Sequence, residues 1–150
     1  MCDCPLFTIR NSLIANLERH PSWDKFQTFQ TANFGIGGDK VENVLYRLKN
    51  GEISNLKTKI VVILAGTNNT KHSKPHEIYE GIIKCVSIIK ELLPSARIIL
   101  PTMLPRGRVP NAQRDCLQVL LHTCHEQSKW LFVEVMTDTM HCNMRVHHQA

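Results

Sequence analysis

The chain has 150 residues and a formal net charge of +5, and a chain of this length suits one domain with a substantial core. Lys and Arg residues are scattered, so the charge favours a solvated basic surface over a nucleic-acid-binding or membrane-binding face. No apolar run is long enough for a membrane span, and no secretory signal is recognisable. We therefore expect a cytoplasmic protein whose six cysteines are reduced thiols.

Apolar runs and amphipathic segments alternate along the chain. In chain order they predict strands at residues 6–9, 29–34, 60–65, 97–100 and 130–136, and helices at residues 12–20, 41–48, 75–93 and 110–127. The run 60–65 is apolar throughout, as in a strand covered on both faces. Asp39 is expected to be the N-cap of the second helix and Asn50-Gly51 to end it, while Pro94 stops the third.

Strands separated by helices imply parallel pairing through right-handed crossovers. The predicted fold class is therefore α/β, a three-layer α/β/α domain with about five parallel strands that takes up residues 1–150 as a single domain. Such folds bind ligands at the carboxyl ends of their strands. The segments that follow the strands are residues 11–12, 35–39, 66–70, 104–107 and 137–141.

The stretch NFGIGGDK, residues 33–40, places three glycines within four positions between a strand and a helix. Glycines in such a place let a phosphate, a cofactor, an oxyanion or another strand approach the backbone. The dinucleotide fingerprint needs Gly or Ala where Lys40 stands, and the Asp39 carboxylate would repel a phosphate. The oxyanion interpretation fits better, with the backbone N–H of Gly38 as the donor.

A second candidate donor is Asn68 in AGTNNT, residues 65–70. It follows the buried strand directly, so its side-chain amide would lie at the same rim as the glycines. The alternative is that Asn68 and Asn69 satisfy a turn, which is the ordinary role of an Asn-Asn pair. Two candidate donors after adjacent strands favour the oxyanion interpretation.

Four segments in this order, NFGIGGD, RLKNGE, GTNN and LPRG, resemble the SGNH (GDSL-type) hydrolases, and within them the catalytic alpha subunits of intracellular brain-type platelet-activating factor acetylhydrolase. The resemblance covers roughly residues 6–121. It implies a flavodoxin-like fold, ester hydrolysis without a cofactor or metal, and oxyanion donors at Gly38 and Asn68. It also implies a homodimer or heterodimer with related alpha subunits and a WD-repeat regulatory partner, with no nucleic acid and no integral membrane segment.

The family's nucleophile block, G-D-S-[LM], corresponds to RNSL at residues 10–13. Ser12 and Leu13 match, whereas Arg10 and Asn11 replace Gly and Asp. By resemblance Ser12 is the nucleophile, although its residue chemistry alone favours an N-cap for the following helix. Asn11 keeps hydrogen-bonding ability without the charge. Arg10 would be strained if the backbone at that position had a positive φ.

A serine nucleophile needs a general base, and the family supplies it from a D-x-x-H motif after the last strand. This chain contains DTMH at residues 138–141. We expect Asp138 and His141 to share one face of a helical turn, where Asp138 orients the imidazole. His147 and His148 are alternative bases. Because residues 141–150 show no apolar period, the C-terminal part is expected to be atypical or truncated.

Several histidines and cysteines in the last third of the chain invite a zinc interpretation, but their spacing fits no ordinary ligand pairing. They are Cys116, His122, Cys124, His125, His141 and Cys142. No metal site is expected. Arg106 and Arg114 lie near the predicted rim, where they could attract an anionic lipid head group or be solvated or ion-paired.

Two functions are compatible with the sequence. The first is a serine esterase that removes a short acyl group such as acetyl from a phospholipid such as platelet-activating factor. In it Ser12 attacks, His141 is the base, Asp138 orients the base, and Gly38 and Asn68 hold the oxyanion. The second is a catalytically impaired subunit that acts as a dimer partner or binding scaffold, which the altered RNSL block favours. Hydrogen-bond reach between His141 and Ser12 distinguishes them.

Overall fold

The structure is a computed structural model that describes residues 5–10, 16–101, 116–117, 120, 131–138 and 141–146. The strands are β1 (Leu6–Arg10), β2 (Thr31–Asn33), β3 (Ile60–Leu64), β4 (Arg97–Pro101), β5 (Leu131–Asp138) and β6 (His141–Val146). The helices are α1 (Trp23–Gln27), α2 (Val41–Lys49) and α3 (Pro75–Leu92), and a short 3-10 helix covers Leu17–Arg19.

The described strands form one six-stranded sheet in the order β2-β1-β3-β4-β5-β6. Pairing is parallel from β2 through β5, and β6 is antiparallel to β5. Thr8 of β1 is in register with Asn33 of β2 and Val62 of β3, so these strands end at a common edge. The predicted α/β class with about five parallel strands is confirmed.

Most predicted elements of the first hundred residues are confirmed to within one residue at each end. These are the strands at 6–9, 60–65 and 97–100 and the helices at 41–48 and 75–93. The strand predicted at 29–34 is shorter, since β2 has three residues. The strand predicted at 130–136 corresponds to β5.

Two elements were not predicted, and two predicted helices are only partly described. Helix α1 is too short to show a period, and β6 (HCNMRV) lacks regular apolar alternation. Of the helix predicted at 12–20, residues 16–20 are described, and among them Leu17–Arg19 forms a 3-10 helix instead of an α-helix. Of the helix predicted at 110–127, Cys116, Leu117 and Leu120 are described and are helical.

The core lies between the sheet and helices α2 and α3. The buried side chains are Phe7 of β1, Val61 and Ile63 of β3, Val41, Val44 and Leu48 of α2, and Ile82, Val86 and Ile89 of α3. Strand β3 is buried from Val61 to Leu64, which confirms that it is covered on both faces. Each such aliphatic side chain contributes about 1.5–3 kcal/mol by its burial. In the described part of the chain, no helix is both long enough and apolar enough to cross a membrane.

Helices α2 and α3 approach each other closely at Gly81. A Cβ atom on Gly81 would lie 2.5 Å from Cγ1 of Val41, the first residue of α2. Val41 is β-branched and stiff, so it has little freedom to move away. Gly81 therefore sets how near the start of α2 lies to α3.

We expect Gly81→Ala to lower the free energy of unfolding by about 1–2 kcal/mol, because overpacking outweighs the gain in helix propensity. In a Val41→Ala background, which removes the clashing Cγ1 atom, Gly81→Ala should be neutral or stabilising. Urea unfolding of the two single variants and the double variant measures this coupling. Equal effects of Gly81→Ala in both backgrounds would contradict the close contact.

Candidate active site

Two loops leave the carboxyl edge of the sheet on either side of β1. The glycine loop, residues 35–38, follows β2, and the asparagine loop, residues 66–70, follows β3. Because β1 lies between β2 and β3, it ends at Arg10 between these two loops. The loops that the sequence singled out are therefore neighbours at one edge.

The glycine loop contains a tight turn from Ile36 to Asp39. The N–H of Asp39 donates to the carbonyl oxygen of Ile36 at 3.4 Å, and Gly38 has a φ of +84°. A positive φ at the third turn position is typical of a type II turn and favours glycine. A Cβ atom at Gly38 would meet no heavy atom within 4 Å, so backbone conformation rather than space requires glycine here.

The backbone N–H of Gly38 is available to a ligand. Within the described part of the chain no group accepts a hydrogen bond from it, and the residue is exposed. The Cβ position of Gly38 is open, and the residue lies in the loop after β2, at the edge where such sheets bind their ligands.

Asp39 is not the N-cap of α2, so that prediction is wrong. Lys40 occupies the N-cap position, and the carboxylate of Asp39 pairs with Arg47, Oδ2 to Nη2, at 2.6 Å. The two side chains are 10% and 17% exposed, respectively. A charge-assisted hydrogen bond in such a shielded place is stronger than a bond from a carboxylate to a neutral helix amide that water can also reach.

The guanidinium of Arg47 makes two further contacts. Its Nη1 donates to Oε1 of Glu52 at 2.5 Å and to the backbone oxygen of Phe34 at 3.1 Å. Burial raises the pKa of Glu52 above 4.5, although the charge of Arg47 acts in the opposite direction. Arg47 thus joins the residues on both sides of the glycine loop to the turn that follows α2.

The asparagine loop is tied to the same region. The side-chain Nδ2 of Asn68 donates to the backbone oxygen of Asp39 at 2.8 Å, so its amide lies at the predicted rim. Asn69 is only 1% exposed, and its Oδ1 accepts the N–H of Val41 at 2.9 Å. Its Nδ2 donates to the carboxylate of Glu42 at 2.9 and 3.0 Å. Asn69 therefore binds the first turn of α2, whereas Asn68 binds the end of the glycine loop.

Sequence reasoning did not assign a role to Arg47 or to the link that Asn69 makes with α2. For Arg47 a signal was present, because an arginine beside the apolar stripe of α2 lies between two acids in sequence, Asp39 and Glu52. For Asn69 the sequence does not distinguish a residue that binds a helix from an ordinary turn residue.

The nucleophile block is only partly described. Arg10 is the last residue of β1 and pairs in register with Leu64, so its backbone is extended and the strain considered for it does not arise. Ser12 and Asn11 lie outside the described residues, as do Arg106 and Arg114.

Asp138 and His141 belong to a β-hairpin. Asp138 ends β5, His141 begins β6, and the two are partners in the antiparallel register. The expected helical turn is therefore wrong. The pair lies at the carboxyl edge of the sheet, but β5 is three strand spacings from β1, which is about 14 Å.

The cysteines whose side chains the structure describes, Cys85 and Cys116, lie in helical segments. In the described part of the chain, no three His, Cys, Asp or Glu side chains are grouped so that they could hold a metal ion. Cys85 and Cys116 are free thiols. Burial raises the pKa of Cys85 to about 12, which keeps it unreactive. His122, Cys124 and His125 lie outside the described residues.

Comparison with known proteins shows the family of the chain. The model of the GDSL-like lipase/acylhydrolase family matches residues 11–145. The chain is 39% identical over 108 residues to platelet-activating factor acetylhydrolase IB subunit alpha1 of Rattus norvegicus, covering 71% of this chain and 46% of that protein. Subunit alpha2 of Homo sapiens gives the same identity, with 47% of that protein covered. The match thus spans about half the length of these relatives.

Solved structures share the fold at low identity. A GDSL-like lipase from Bacteroides thetaiotaomicron superposes with a TM-score of 0.70 at 22% identity, covering 87% of this chain and 67% of that chain. A member of the lipolytic protein G-D-S-L family from Veillonella parvula has a TM-score of 0.71 at 11% identity, covering 88% and 78%. These likenesses concern the fold.

The turn at Gly38 predicts a position-specific response to added side chains. Gly38→Ala should lower the free energy of unfolding by about 1–2 kcal/mol because Ala is strained at positive φ. Gly38→Asn should cost less, since Asn tolerates that conformation. Gly37→Ala is the matched control, because Gly37 is in the same turn and has no positive φ. Urea unfolding measures all three, and equal losses at positions 37 and 38 would exclude this turn.

The partly buried Glu52 predicts a pH dependence. Its pKa is raised in the folded state, so its contribution to stability is full below about pH 4.5 and is lost as the pH rises through the folded-state pKa. Glu52→Gln removes this dependence. The stability of that variant relative to the wild type should therefore increase as the pH rises from 4 to 7, which urea unfolding across that range measures. A constant difference would show that the Glu52 pKa is unshifted.

Proposed function

The chain belongs to the GDSL-like lipase/acylhydrolase family, and we propose that it is a serine esterase of the SGNH type. The observation that carries the proposal is the Gly38 N–H, which is exposed, has no acceptor in the described part of the chain and lies in a turn fixed beside the asparagine loop. A free N–H donor at the carboxyl edge suits the stabilisation of a tetrahedral intermediate.

The proposed reaction is acyl transfer to Ser12. The Ser12 hydroxyl attacks the ester carbonyl carbon and gives its proton to His141, which Asp138 orients. The carbonyl oxygen becomes an alkoxide that accepts hydrogen bonds from Gly38 N–H and Asn68. The intermediate collapses, the alcohol leaves with the proton from His141, and water then hydrolyses the acyl enzyme by the same steps. No metal or cofactor takes part in this scheme.

The proposed substrate is a phospholipid with a short acyl ester, such as the acetyl ester of platelet-activating factor. Support comes from the alpha1 and alpha2 relatives, whose names state that they are subunits of platelet-activating factor acetylhydrolase. Assembly with related alpha subunits as a homodimer or heterodimer, a WD-repeat regulatory partner and a cytoplasmic location belong to the same proposal.

One observation favours a second function, that of a catalytically impaired subunit acting as a dimer partner or binding scaffold. Asp138 lies on β5 and His141 on β6, which are about 14 Å and about 19 Å along the sheet from β1. For His141 to form a hydrogen bond with Ser12, the hairpin must extend across the ends of β3 and β4, which lie between β1 and β5. If it does not, Ser12 has no base from this motif.

Labelling with a fluorophosphonate probe tests the esterase. We expect the purified wild-type protein to be labelled and Ser12→Ala to lose labelling completely, because an activated serine is required for attack on phosphorus. His141→Ala should reduce the labelling rate by about 10²–10⁴-fold, as expected for loss of a general base.

Circular dichroism of each variant is the control for folding. Hydrolysis of p-nitrophenyl acetate by unlabelled wild-type protein is an independent measure of esterase activity. Wild-type protein that is folded yet neither labelled nor active on this ester would contradict the esterase and support the scaffold function. Labelling that survives His141→Ala would retain Ser12 as the nucleophile and exclude His141 as its base.

A further inference from the structure

Glycine-rich loops need outside help to hold one conformation. Between Phe34 and Asp39, Ile36 is the one residue with a side chain, and that side chain is 49% exposed. Gly38 itself has no neighbours where a Cβ would be. Glycine also loses the most backbone entropy on ordering. A donor that must point at a fixed oxygen therefore has to be positioned by contacts outside the glycine loop.

Arg47 makes contacts of that kind on both sides of the loop. Its Nη1 binds the carbonyl oxygen of Phe34, the residue before the loop, at 3.1 Å. Its Nη2 binds Oδ2 of Asp39, the residue after the loop, at 2.6 Å. Its side chain is 17% exposed and is carried by α2, whose residues Val44 and Leu48 are buried in the core. One guanidinium, fixed by the packing of α2, thus binds the residues on both sides of the loop.

The same contact also compensates charge beside the donor. Asp39 directly follows Gly38, and an unpaired carboxylate there would oppose negative charge developing on a substrate oxygen. Pairing with Arg47 neutralises it in a shielded place where the charge interaction is only weakly screened. Glu52 in turn holds Nη1 of Arg47 at 2.5 Å.

From these contacts we infer that Arg47 is a positioning residue of the esterase site: it staples Phe34 to Asp39 so that the Gly38 N–H points at the oxyanion. This inference rests on the proposed function. Arg47 acts through the loop and does not touch the substrate. A lysine cannot replace it, since a single ammonium does not present two diverging donors in one plane.

The test compares Arg47→Met and Arg47→Lys with Lys49→Met, an exposed cation on the same helix. Three quantities are measured: the rate of fluorophosphonate labelling, kcat and KM for p-nitrophenyl acetate, and amide hydrogen exchange over residues 34–40. We expect both Arg47 variants to lose at least tenfold in labelling rate and kcat, with KM changed less than twofold. Exchange in this segment should be at least fivefold faster, and Lys49→Met should match the wild type.

The proposal is overturned if the Arg47 variants label within twofold of the wild type, or if their exchange over residues 34–40 is unchanged. A merely structural role would accelerate exchange throughout α2 and the core instead of in this segment, and that outcome would also overturn it. If the wild-type protein is neither labelled nor active, the proposed esterase function is overturned. The exchange comparison then still decides whether Arg47 fixes the Gly38 turn.

Discussion

The candidate site depends on the hydrogen bonds that Arg47 makes to Phe34 and Asp39, on the two sides of the glycine loop. Gly38 gives the loop its positive φ and a position without side-chain neighbours. The same backbone freedom would let the Gly38 N–H adopt many orientations. The guanidinium resolves this conflict because its donors diverge in one plane and reach both sides of the loop. Gly37 and Gly38 place no side chain in the loop, and Arg47 holds it at Phe34 and Asp39.

Helix α2 carries Arg47 and fixes its position relative to the core. Val44 and Leu48 fix it in the core, and Gly81 lets its first turn approach α3. Asn69 adds a link to the asparagine loop by accepting the N–H of Val41. Leaving such a buried amide without an acceptor would cost about 1–3 kcal/mol. The loops after β2 and β3 are therefore aligned through one helix as well as through the direct hydrogen bond from Asn68 to the backbone oxygen of Asp39.

Sequence patterns predicted the elements that are periodic or completely buried, and they failed where a contact depends on distant residues. Strand β3 and helices α2 and α3 show their burial in their spacing, so their bounds were predicted closely. Asp39 was taken for an N-cap because a cap and an ion-pair partner look alike in sequence, and Arg47, eight residues on, decides between them. The roles proposed for Gly38 and Asn68 came from a strand-end position that the fold preserves, whereas β6 was missed because HCNMRV has no regular period.

The donors and the proposed base belong to different parts of the sheet. Gly38 and Asn68 are held by β2, β3 and α2, in the part of the fold that carries the core. Asp138 and His141 lie on an edge hairpin that joins the parallel sheet through β4 alone. An edge hairpin can change its course without disturbing the contacts of Arg47, Asn68 and Asn69, so the glycine and asparagine loops keep their arrangement whether or not a base reaches Ser12. The glycine loop is accordingly strong evidence for the architecture of the family, and the reaction depends on the course of the edge hairpin.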